Sequence, residues 1–129
     1  MGKTRKHKKM SLAQIIEKLL EMINTIKLYH WKTYNYATHK ATDELFSELN
    51  TKIDEFVEVL LGSTNVNRNS LNITTITINP ILTNVECKTQ INNYIHFLIQ
   101  SKGLSVDLIS IRDEIIALLH RFLYLLSLS

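Results

Sequence analysis

Apolar residues spaced three and four apart recur along most of this chain, and that spacing requires helices packed against one another. Leu12, Ile15, Ile16, Leu19, Ile23 and Ile26 form the first series. Ser11 and Gln14 stand before it as an S-x-x-Q capping box, so a helix is expected to begin there. Continuing the series by four lands on His30, which puts an imidazole on the core side. Leu45, Leu49, Ile53, Phe56 and Leu60 form a second series. It predicts a helix from near Thr38 or His39 to Gly62, a natural helix stop. A third helix is expected from about Lys88 to Lys102, with Ile91, Ile95, Leu98 and Ile99 inward. A fourth runs from about Val106 to near the end of the chain, with Leu108, Ile111, Ile115, Leu118, Leu119, Phe122 and Leu125 inward. The breadth of that last face predicts the most buried helix of the four. Arg112 falls inside it, and a buried guanidinium needs a carboxylate or free carbonyls within reach. His96 and His120 read as edge and surface residues.

The links are unequal. Those between the first two helices and between the last two are short. The connection over residues 63–87 is long, rich in Asn, Ser and Thr, and blocked against a continuous helix by Pro80. Its LNITTITI run alternates and is compatible with an extended chain. A connection that long has a topological use, because it can cross the length of a bundle. The expected fold is therefore all-α: a four-helix bundle with one long crossover between the second and third helices, the connectivity of ferritin-like bundles. Residues 11–129 would form that bundle.

Composition agrees. Glycine and proline together supply four residues, hydrophobic residues 45%, and the length suits one domain. A single cysteine, Cys87, excludes an internal disulfide and a cysteine metal cluster. No apolar run reaches the roughly 18 residues of a membrane helix, so no membrane partner is expected. The expected location is cytoplasmic, with nucleoid, nuclear or virion association left open. The net charge of +3 is uneven. Lys3, Arg5, Lys6, Lys8 and Lys9 crowd residues 1–10 without an acid, and the remainder is slightly acidic. That stretch reads as a disordered basic tail. It would attract nucleic-acid phosphates without sequence preference, or act as a targeting or solubilising segment.

The chemistry concentrates between Tyr29 and Gly62, which hold the only tryptophan, two of the five histidines and six of the twelve acids. His30, His39, Asp43, Asp54 and Glu58 are nitrogen and oxygen donors of the kind that hold iron, manganese or zinc. At about 100° per residue, His39, Asp43 and Asp54 share one flank of the second helix, with Glu58 about 40° further round. Glu44, Glu48 and Glu55 fall opposite the apolar stripe and read as solvent-facing acids. The plainer alternative makes His30 a hydrogen-bonded core histidine, Asp43 a compensator of the helix dipole, and Asp54 with Glu58 a solvated face.

His30-Trp31, Asn35-Tyr36, the HKATD run from His39 to Asp43, and Asp54 with Glu58 resemble the ferroxidase signature of the Dps mini-ferritins. The spacings of four, eleven and four residues match that signature. The specific resemblance covers about 35 residues. Short phage and large-virus members of the ferritin-like group look similar. The resemblance implies that these five side chains bind iron. It also implies a homodimer or larger shell, and a lysine-rich arm like the DNA-binding tail of some Dps proteins.

Two functions are weighed. The first is a mini-ferritin that binds and oxidises Fe(II). The second is a ferritin-like structural or nucleic-acid-packaging protein without iron chemistry. For the first, Asp43 and Asp54 lie about 16 Å apart along one helix, too far to share an ion with bonds of about 2 Å. Two such helices packed antiparallel would bring the early turns of one against the later turns of the other. Each site would then take His30, His39 and Asp43 from one chain and Asp54 and Glu58 from its mate.

Overall fold

A computed structural model describes residues 11–63 and 65–129. The basic run from Lys3 to Lys9 and the nucleic-acid role expected of it lie outside the described residues. The described residues form α1 (Leu12–Lys32), α2 (Tyr36–Ser63), a short 3-10 turn (Arg68–Ser70), α3 (Asn84–Gln100) and α4 (Val106–Leu126), and contain no strand. The protein is a four-helix bundle.

Local chemistry sets the helix ends. Ser11 Oγ accepts from the Gln14 amide at 3.2 Å, and the Ser11 amide donates to Gln14 Oε1 at 2.9 Å, so the expected capping box is present. The Asn35 side-chain oxygen accepts from the Thr38 amide at 2.9 Å and satisfies an otherwise unpaired donor at the start of α2. Thr83 does the same for Glu86, which starts α3 four residues before the expected Lys88. Gly103, with φ of 79°, supplies the left-handed residue of the α3–α4 link.

Side-chain ties fix the neighbours. Lys27 Nζ lies 4.5 Å from the Phe46 ring centre and joins α1 to α2. Arg121 reaches Glu44 at 2.8 Å and Glu48 at 3.3 Å, and Lys52 bonds Glu114, so α2 and α4 are clasped along their length. Lys18 sits over Phe97, joining α1 to α3. At one end all four helices meet around Asn84. Its Oδ1 accepts from Tyr29 at 2.6 Å and Thr38 at 3.2 Å, and its Nδ2 donates to Ser129 Oγ at 3.0 Å. Burial pushes the Tyr29 phenol up in pKa and keeps it a donor. Because α2 and α3 both start at this end, residues 65–83 bring the chain back along the bundle. Ile81 on that return is buried, and Leu71 and Ile73 pack against the core.

The stripe of α2 behaves as expected, with Leu45, Leu49, Ile53, Phe56 and Leu60 all buried. Three expectations need correction. Ile99 is exposed although Leu98 and Ser101 are buried, because it lies off the face of α3 that Ile91, Tyr94, Ile95 and Leu98 turn inward. Glu44 and Glu48 do not simply face water; they flank α4 and bind Arg121. And α1, not α4, has the more buried residues, ten against six. Arg112 meets its requirement: it bonds Asp113 at 3.0 Å and approaches the Ser101 carbonyl at 3.5 Å.

Cys87 lies in the core, and desolvation pushes its thiol up to about 12. A thiol held protonated and covered is a poor nucleophile. Native protein at neutral pH should therefore take up a maleimide far more slowly than urea-unfolded protein, read as mass added over time. Equal rates would place Cys87 at the surface.

Candidate functional site

The residue types with metal chemistry meet where α1 turns into α2. His30 is in the last turn of α1 and His39 in the first turn of α2. The turn over residues 33–35 brings them face to face, with ring centres 4.0 Å apart and planes 17° apart. His30 Nδ1 lies 2.9 Å from the His39 carbonyl oxygen, and His39 Nδ1 lies 2.9 Å from the His30 carbonyl oxygen. A carbonyl oxygen only accepts, so each Nδ1 carries the proton and donates. In the neutral form of such a ring Nε2 is the lone-pair nitrogen. Nδ1–H bound to a backbone carbonyl is the usual arrangement behind a metal-binding histidine, because it fixes tautomer and ring orientation.

Thr42 supports the pair. Its hydroxyl donates to the Thr38 carbonyl at 2.8 Å and lies 3.1 Å from His30 Nδ1, and the residue is buried. His30 is buried and His39 exposed. Asp43, one turn beyond His39, points to solvent, with Oδ1 4.0 Å from His30 Nε2. That is too long for a hydrogen bond and close enough for attraction. His30 thus lies against both His39 and Asp43.

Asp54 and Glu58 are not part of this group. They are exposed further along α2 and line a shallow acidic hollow with Asn50, Thr51, Glu55 and Val59. Among the described residues, no group of three or more His, Cys, Asp or Glu side chains is arranged to hold a metal ion. A complete centre would need donors beyond one chain's elbow. His96 and His120 are exposed and far from the motif along the chain.

Two features of the elbow escaped the sequence reading. One is Thr42, whose role depends on contact with a ring twelve residues earlier. The other is the exposure of Trp31, Tyr34 and Tyr36. The aromatic-rich run WKTYNY was available as a signal, yet helical periodicity says nothing of where a turn points its side chains.

No helix among the described residues is long and apolar enough to cross a membrane. A family model, that of a family of unknown function (DUF5856), matches residues 30–126. The matched span takes in His30, His39, Asp43, Asp54 and Glu58 and leaves out the basic tail and most of α1. No curated protein and no solved structure matches the chain.

Proposed function

We propose that this chain, which belongs to the DUF5856 family, is a ferritin-like, metal-binding homo-oligomer of the mini-ferritin kind with Fe(II) as its substrate. One observation carries the reading: the reciprocal Nδ1–H to carbonyl lock of His30 and His39, with Asp43 beside the free nitrogen of His30. Core histidines need only a hydrogen bond. Two imidazoles oriented through Nδ1, with a carboxylate beside one of them, are better matched to a borderline divalent cation. In this reading His30 and His39 bind through Nε2 and Asp43 adds negative charge. Asp54 and Glu58 of a second copy complete the donor set across a two-fold axis. Carboxylates favour the more highly charged Fe(III) product, so the same ligands assist oxidation by oxygen or peroxide. The return of the chain over residues 65–83 is compatible with ferritin-like connectivity.

The test is metal content. Protein purified without chelator and loaded with Fe(II) should retain iron, and His30→Ala should weaken retention by at least tenfold. His96→Ala and His120→Ala should leave it unchanged. No retained iron, or equal losses in all three variants, would leave a helical bundle with a structural or nucleic-acid-packaging role.

A further inference from the structure

Trp31, Tyr34 and Tyr36 stand out from the α1–α2 elbow at 67%, 106% and 73% exposure. Three large rings uncovered within six residues are unusual on a surface that has no use for them. Lysines accompany them. Lys32 and Lys40 are exposed, Lys27 Nζ lies 5.3 Å from the Trp31 ring centre, and Lys40 Nζ lies 5.8 Å from that of Tyr36. No acidic residue occurs between Glu21 and Asp43. The elbow is therefore a set of ring faces with a cation beside two of them.

We propose that this elbow binds single-stranded nucleic acid, with bases stacked on the exposed rings and phosphates met by Lys27, Lys32 and Lys40. Each nucleotide offers a flat π face and a negative charge a short distance apart, which is the complement of a ring with a lysine beside it. Every base has such a face, so binding would be tolerant of sequence. A duplex hides the faces of its bases and would gain only the charge term. An anionic lipid surface also attracts lysines and aromatic rings, but insertion uses aliphatic side chains as well. Within the elbow itself the exposed large hydrophobic side chains are aromatic; the exposed aliphatic residues near this end, Leu82, Val85 and Leu128, belong to other segments of the chain. This surface differs from the basic tail, which has cations without aromatics, and it is independent of the metal reading.

Trp31 is the only tryptophan, so its emission reports the elbow directly. The full chain, in EDTA to remove metal quenching, is titrated with a dozen-nucleotide oligo(dT). Parallel titrations use a duplex of the same length and vesicles of phosphatidylserine and phosphatidylcholine. Saturable quenching by the single strand is expected, weakening as salt rises, with little response to duplex. Tyr34→Ala should weaken single-strand binding about tenfold. Tyr124→Ala, an exposed tyrosine on α4, should not change it. Unchanged emission at high oligonucleotide overturns the proposal. So does Tyr34→Ala binding as tightly as the parent, a response to vesicles but not to oligonucleotide, or emission that follows protein concentration alone.

Discussion

Phe56→Ala should destabilise the bundle by about 3–5 kcal/mol, the usual cost of removing a buried phenyl ring. Phe56 is 1% exposed and sits in the α2 stripe, the helix that packs on both α1 and α4. Truncation forfeits the transfer free energy of the ring and leaves a void that neighbours on two helices cannot close without separating from each other. A domain of this size has about 5–15 kcal/mol in total, so a large share of its margin would go. Urea unfolding at fixed protein concentration should show a lower midpoint with an unchanged slope. Arg121→Ala is the contrast. Its ion pairs with Glu44 and Glu48 are exposed, and such pairs contribute little. A Phe56→Ala midpoint close to that of Arg121→Ala would mean that the α2 stripe is not the core.

The second large effect concerns the proposed shared site. Asp43→Ala and Asp54→Ala should each abolish iron retention in homodimers, because every site then lacks a carboxylate. In a mixed dimer one site collects both substitutions and the other collects neither. Random pairing makes half the dimers mixed, so about a quarter of all sites should be intact. Unfolding and refolding the two variants together, then measuring bound iron, should recover about that fraction. Mixed dimers that form yet retain no more iron than either variant alone would rule out a centre divided between chains.

What the residues alone disclosed follows a physical line. Helix positions were readable because burial of one face imposes a period, and the stripe from Leu45 to Leu60 obeys it throughout. The start of α3 was also encoded, since Thr83 and Glu86 are three apart, but Pro80 drew attention to the interruption instead of the cap. The roles of Glu44 and Glu48 were not readable. Which helix stands beside an acidic face depends on the crossing of distant segments, and Arg121 lies more than seventy residues away. At the elbow, periodicity placed His30 inward and the spacing paired His39 with Asp43. The reciprocal hydrogen bonds depend on the length of the turn over residues 33–35, and a pattern of residue types does not specify them. Asp54 and Glu58 present the same difficulty on a larger scale. Their proposed companions belong to another copy, and a single chain's pattern carries no coordinates for it.

The return segment between α2 and α3 has a consequence for how such a chain can change over generations. The entropy lost in closing a loop grows only with the logarithm of its length, and doubling it costs about 0.6 kcal/mol. Ile81, Leu71 and Ile73 hold parts of the segment to the core, but Asn65, Asn67, Arg68, Asn69 and Ser70 are exposed. Insertions there would disturb no buried residue and no α-helix cap, only the short 3-10 turn that Asn67 caps. They would also lie at the opposite end of the bundle from His30 and His39. The chain therefore has a place where new sequence can accumulate at little thermodynamic cost, away from the turn between α1 and α2.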